Sequence, residues 1–413
     1  MKRIWKRISA LLLALLCLTG CGGGGAKSLT EHVKPAPVEA GMEAGDAAAL
    51  AGFSVELLKE NWTGENLLVS PLSALCALGL TANGARGETL AQMEAVLGLP
   101  AERLNAALAA WTAELPREKD CRVDLANSVW IRDDGSFEAD RGFLETAARQ
   151  YGAEVFASRF DAAAVRDING WVEKNTRGMI PEILSELRDE TMLVLVNALA
   201  LEAEWAEIYM DSQVWEDQTF TTGDGQEQPV TLMYSGESRY LRDGNAQGFL
   251  KFYKGGRWAF AALLPDEGVR LEDYLASLTG ERLHQVLADA EETEVYAAIP
   301  KFKGECAVTL NESLKAMGIT DAFESGLADL SGLGVSEMGP LFISQVLHRT
   351  YIEVDGRGTK AGAATAVAVS GSAGPGEESD PPPEVYLDRP FLYMLVDTET
   401  NLPAFIGVVT DMS

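Results

Sequence analysis

The chain has 413 residues, 47% of them apolar, enough to bury a large core. Against 34 Lys and Arg stand 62 Asp and Glu, and the net charge of −28 argues against a surface built for nucleic acid or anionic lipid. Three His (His32, His284, His348) and five Cys without a CxxC pair exclude a His-built metal centre, a zinc ribbon and a dithiol redox site, so no cofactor is expected.

Residues 1–7 (MKRIWKR) are basic and residues 8–18 (ISALLLALLCL) apolar. That run is far short of the ~20 residues of a spanning helix. Residues 1–20 therefore read as a secretory signal. The signal ends in Leu18-Thr19-Gly20-Cys21, which is similar to the cleavage box of bacterial lipoproteins, where the Cys takes the lipid. The plainer alternative is an ordinary secretory peptide with a chance Cys. On the first reading the protein is extracellular, held at the outer face of a bacterial membrane through Cys21 alone. Residues 21–45 are rich in Gly, Ala, Pro and Glu, have no apolar period, and read as a flexible tether. Cys76, Cys121 and Cys306 are odd in number and far apart, and read as small core residues.

Folded sequence is expected from Asp46 to Ser413. Leu50, Phe53, Leu57 and Leu58 recur at helical spacing. Ser70-Pro71 reads as an N-cap and first helical residue, opening a helix through Thr81. Helices are also predicted over 88–97, 101–114, 140–151 and 166–176, and a strand over 123–131 (VDLANSVWI). The run Met192–Leu201 (MLVLVNALAL) is apolar except at Asn197, the pattern of a strand buried on both faces. Further strands are predicted over 230–234, 249–253, 258–264, 295–299, 341–347, 351–354, 391–396 and 404–409. Helices first and strands later give an α+β fold with large sheets. Residues 371–384 (GSAGPGEESDPPPE) cannot bury a core, and such a stretch inside a folded region is functional or disordered.

Motifs in chain order now identify a family. Asn66-Leu67-Leu68-Val69-Ser70-Pro71-Leu72-Ser73, Asn83-Gly84-Ala85-Arg86-Gly87-Glu88-Thr89, and Ile168-Asn169-Gly170-Trp171-Val172 with Thr176 and Ile180 match serpin blocks. So do Val196-Asn197-Ala198 with Trp205, Ile299-Pro300-Lys301-Phe302, Gly358-Thr359 through Thr365, and Asp388-Arg389-Pro390-Phe391. Over roughly residues 46–413 the chain resembles the serpins. The resemblance implies three β-sheets, about nine helices and an exposed reactive-centre loop at about 356–385 that a protease cleaves as bait. It also implies a suicide-substrate inhibitor and no catalysis by the chain itself. The implied partner is a serine protease held in a covalent complex with a monomeric inhibitor.

In strand geometry the hinge GTKAGAATAVAV puts Thr359, Ala361, Ala363, Thr365, Val367 and Val369 on one face. Lys360, Gly362, Ala364, Ala366 and Ala368 take the other, where Lys360 stays in water. A segment this small can slide between existing strands. Composition alone favours an Ala-rich linker or short helix; the β-branched residues at 365, 367 and 369 and the resemblance reverse that. Gly358 to Thr365 is thus the expected hinge. Its departures from the family are Asp355-Gly356-Arg357 at the start, Lys360 in place of an acid, and Gly362 among alanines, each able to slow insertion.

Ser70, Ser73, Asn197 and His348 are polar residues at apolar positions. Buried polar groups need partners, so Asn197 and His348 are expected to bond one another. In serpins the matching positions, with Trp205 above them, form the gate where the central sheet opens. Satisfied core polar groups without a switching role are the plainer reading. Family spacing counted from Gly356 puts the scissile bond between Ser372 and Ala373, with Val369, Ser370 or Glu378 as alternative specificity residues. Small residues over 366–373 suit an elastase-like or subtilisin-like enzyme, and the scarcity of Lys and Arg argues against a trypsin-like one.

Two other classes compete: a non-inhibitory serpin-fold binding protein, and an unrelated lipid-anchored hydrolase or solute-binding lipoprotein. Ser370-Gly371-Ser372-Ala373-Gly374 fails the G-x-S-x-G pattern at its first position, H-E-x-x-H is absent, and Gly356-Arg357-Gly358-Thr359-Lys360 lacks phosphate-loop spacing. Large or charged residues at 361, 363 and 365 would mark the non-inhibitory reading, and none is present.

Overall fold

The computed structural model describes residues 25–33, 41–43, 45–359 and 381–412. Among these lie nine α-helices and three main sheets of eight, six and four strands, with one two-stranded ribbon. The architecture is the expected α+β arrangement.

The central sheet runs in the order Lys27–Ser28, Glu154–Ser158, Cys121–Arg132, Leu193–Glu204, Gly358–Thr359, Gln345–Val354, Phe302–Thr309. Its middle pair, Leu193–Glu204 and Gln345–Val354, is parallel and in direct register only from Gln345 opposite Val194 to Thr350 opposite Leu199. Beyond that the two strands part, and Gly358–Thr359 sits between them, antiparallel to both.

Burial explains the run MLVLVNALAL. Leu193, Leu195, Leu199 and Leu201 face the main core. Val194, Val196 and Ala198 face a second cluster made with Ile168 and Val172 of helix Ala162–Asn175. Each such Leu or Val contributes about 1.5–3 kcal/mol, so no solvent face remains and the alternation disappears from the sequence. Helix Pro71–Ala82 is buried at all twelve residues. A helix apolar all round belongs inside a protein, and this one lies between the central and second sheets. The Ser70 side chain caps it by accepting from the Ser73 N–H at 3.2 Å.

The second sheet orders Tyr240–Asp243, Ala246–Phe252, Trp258–Pro265, Phe391–Asp397, Leu402–Val409 and Leu67–Val69. The third orders Glu384–Tyr386, Val295–Pro300, Glu227–Glu237 and Val214–Thr221.

The structure differs from the sequence reading at several places. The segment expected as a flexible tether over 21–45 contains a strand: Lys27 and Ser28 pair with Ala157 and Phe156. Backbone bonds from Ala26 N to Asp167 Oδ2 (2.8 Å) and Leu29 N to Val155 O (2.8 Å) hold it, and Thr30 is buried. The runs 341–347 and 351–354 form one strand, Gln345–Val354, because polar His348, Arg349 and Thr350 pair within it. The helix expected from 166 begins at Ala162, where the Asp161 carboxylate caps Ala163 and Ala164. Strands Glu154–Ser158, Val214–Thr221 and Phe302–Thr309 and helices Leu271–Ser277, Gly280–Ala288 and Asn311–Met317 were not anticipated.

Candidate functional site

Register brings together the polar residues expected at the gate. Asn127, Asn197 and His348 stand opposite one another on three neighbouring strands, directly over the first turn of helix Pro71–Ala82. The Ser70 backbone N–H donates to His348 Nε2 at 2.9 Å. That nitrogen therefore carries a lone pair, so Nδ1 carries the proton and donates to Asn197 Oδ1 at 2.7 Å, the contact expected from sequence. The Ser73 hydroxyl donates to the same oxygen at 3.0 Å, and the Ser70 hydroxyl donates to Ala404 O at 2.8 Å. Asn197 Nδ2 is buried without a partner among the described residues. A polar cluster satisfied on one side only is a weak seam in an otherwise apolar sheet.

The His348 ring is neutral by geometry and by environment. Protonating Nε2 would set it against the Ser70 N–H, and burial lowers its pKa to about 4. In the unfolded chain the same ring binds a proton near pH 6.5. Stability is therefore complete above pH 6.5 and falls as the pH drops towards 4, by about 3 kcal/mol in all. Urea midpoints between pH 8 and 4 should show this loss. His348→Gln should flatten the slope, and equal slopes in the two proteins would remove the assignment.

Above the gate, residues 355–358 make a compact turn. The Asp355 carboxylate accepts from Arg357 N (2.7 Å) and Gly358 N (3.2 Å). Three carbonyls of the turn are held from below: Trp205 Nε1 donates to Asp355 O at 2.8 Å, Tyr209 N to Gly356 O at 2.9 Å, and Trp205 N to Arg357 O at 2.8 Å. Gly358 then enters the sheet so closely that a Cβ there would lie 2.0 Å from Ala203 O, which requires glycine. Thr359 is 1% exposed, and its hydroxyl meets that of Tyr253, whose ring stacks on Trp205 at 4.5 Å. The departure Asp355-Gly356-Arg357 noted in the sequence thus builds the turn that launches the hinge.

Of the predicted site residues, Ser70, Ser73, Asn197 and His348 form one hydrogen-bonded group, and Trp205, Gly358 and Thr359 gather at the top of the same strands, joined through Asp355 and Tyr253. Cys21, Lys360, Ala361, Gly362, Ala363, Ala364, Thr365, Ser372 and Ala373 lie outside the described residues. Asn127, Tyr209 and Tyr253 were not singled out. Asn127 carried the same signal as Asn197, an amide inside a predicted strand. Cys76, beside the gate on helix Pro71–Ala82, has its thiol pushed up to about 12 by burial and is no nucleophile at neutral pH. Among the described residues no group of three or more His, Cys, Asp or Glu could hold a metal ion.

Two parted central strands with the start of a following segment seated between them define the class of fold. Residues 48–412 match the family model described as Serpin (serine protease inhibitor). The chain belongs to the serpin family. It is 31% identical over 380 residues to leukocyte elastase inhibitor of Xenopus laevis, covering 87% of this chain and 98% of that protein. The crystal structure of the thermophilic serpin tengpin in its native state superposes with a TM-score of 0.88 at 41% identity, covering 94% of this chain and all of that one. Tengpin in its latent state gives 0.79 at 39% identity, covering 91% and 100%. The chain described here is thus more similar to the native than to the latent form.

Proposed function

We propose that the protein inhibits a serine protease as a suicide substrate. The target's serine attacks the carbonyl carbon of the bait residue, Ser372 in the present count, and the amine of Ala373 leaves. The cleaved hinge then continues the course begun by Gly358 and Thr359, entering between Leu193–Glu204 and Gln345–Val354. The acyl-enzyme is carried along and distorted before water can release it. The observation that supports this most directly is the seated start of the hinge. No group of the inhibitor needs to act on the scissile bond.

Small residues over 366–373 and the named target of the Xenopus relative favour an elastase-like or subtilisin-like enzyme. The leader and Cys21 favour secretion followed by lipid attachment at the outer face of a bacterial membrane, with the protein acting as a monomer. The test is incubation of the domain lacking residues 1–21 with an elastase and with subtilisin, followed by denaturing gels. A band at the summed mass is expected, and mass spectrometry of the released peptide locates the bond. Clean loop cleavage by both enzymes without that band would overturn the proposal.

A further inference from the structure

Lys251 interrupts the apolar strand Ala246–Phe252, yet it is only 3% exposed. Lysine is almost never buried to this degree without a compelling partner. Its ammonium donates to Glu237 Oε1 at 2.7 Å. It also lies 4.4 Å from the centre of the Tyr209 ring and 5.5 Å from that of Trp205. The Ser235 hydroxyl donates to the same Glu237 oxygen at 2.6 Å and meets the Tyr209 hydroxyl at 3.2 Å. Lys251, Glu237, Ser235 and Tyr209 thereby close a ring of contacts. The ring ties the second sheet (Lys251) to the third (Glu237, Ser235) directly under the parting of the first.

Two residues this ring touches bear on the hinge. The Trp205 indole holds Asp355 O, the main-chain N–H groups of Tyr209 and Trp205 hold Gly356 O and Arg357 O, and Trp205 stacks on Tyr253, which meets Thr359. Lys251 and Tyr253 stand two residues apart on one side of their strand, so both bear on the same indole. A desolvated cation over an aromatic face is attracted strongly. An apolar residue here would fill the space but could hold neither ring by charge.

We propose that Lys251 is a positioning residue for loop insertion: held by Glu237, it fixes the rings of Trp205 and Tyr209, and through them keeps Thr359 seated between the two central strands. The inference deepens the inhibitory reading and rests on it for its purpose. The seating itself is measurable without any protease.

Lys251→Met keeps the bulk of the stem and removes the charge. Hydrogen exchange followed by mass spectrometry, on the protein without its leader, reads the peptide containing Gly358 and Thr359. Exchange there should quicken roughly tenfold in the variant, with peptides from Trp258–Pro265 unchanged. Tyr253→Phe should quicken the same peptide, and the double variant should exchange no faster than the quicker single one, because both act through the Tyr253–Thr359 contact. With an elastase, Lys251→Met should be cleaved at the parental rate but yield a smaller share of covalent complex. Parental exchange at the hinge, or simple addition of the two single effects, would overturn the assignment. Should Lys251→Met fail to fold, Glu237→Gln gives the same readout, with roughly threefold faster exchange expected and no change counting against it. A parent that traps no protease while the variant loosens the hinge would remove the inhibitory reading and leave this one standing. A parent that traps protease with an unaltered hinge in the variant would do the reverse.

Discussion

On the proposed mechanism, replacing Thr359 by Arg should turn the inhibitor into a substrate. Thr359 is 1% exposed, flanked by Ala203 and Val354 on the neighbouring strands and closed below by the Tyr253 hydroxyl. A guanidinium placed there meets no acid, since the Asp355 carboxylate already serves Arg357 N and Gly358 N. Burying an unpaired charge costs several kcal/mol, and each 1.4 kcal/mol on the insertion barrier is about tenfold in rate. Hydrolysis of the acyl-enzyme then outruns insertion. Loop cleavage should proceed at the parental rate, while the covalent fraction on gels falls below roughly one tenth of the parental value. Thr359→Ser should stay near parental. Full inhibition by the Arg variant would rule out insertion at this position.

Cutting the loop should stabilise the folded protein. The parallel pairing at the centre of the sheet extends only from Gln345 to Thr350. A strand entering there replaces it with antiparallel ladders on both sides, the more stable pairing. The ladders do not suffice alone, because each hydrogen bond yields about 0.5–1.5 kcal/mol and ordering a residue costs about 1–2 kcal/mol. Burial of apolar side chains such as Val367 and Val369, at about 1.5–3 kcal/mol each, adds to the gain. Relief of the unfinished pairing around Asn197 supplies more. Each kcal/mol of net gain raises the melting temperature of a chain this long by roughly 1–1.5 °C, so the nicked protein should melt several degrees above the intact one. Scanning calorimetry of intact and nicked protein measures it. Coincident transitions would mean that the intact form stores no free energy.

How much of this was legible in the sequence depended on whether the signal was local. Helix Pro71–Ala82 was readable because its cap, its proline and its wholly apolar face lie within twelve residues. The strand Leu193–Glu204 was readable because burial on both faces leaves one polar exception, Asn197, that demands a partner. His348 was its natural mate, as a lone His closing the run Leu341–Leu347. Asn127 was missed because only sheet register sets it opposite Asn197, and register joins strands far apart in the chain. Strand Phe302–Thr309 was missed because Gly304 on its inner face and Ala307 on its outer face blur an alternation that Lys303 and Glu305 otherwise keep. Lys251 passed unremarked inside the strand predicted over 249–253, since nothing nearby in sequence announces Glu237 or the two rings. The strand at Lys27–Ser28 was hidden by the Gly-rich composition around it: two residues are too few to show a period.

The outer borders of the central sheet have a consequence for self-association. On one flank it ends in the two-residue strand Lys27–Ser28, and on the other in Phe302–Thr309, which turns Lys303 and Glu305 to solvent. Very short or charged borders are poor templates for passing chains. Lateral accretion is thereby discouraged on both flanks, and the interior parting above Thr350 becomes the place where this β-structure can still be extended.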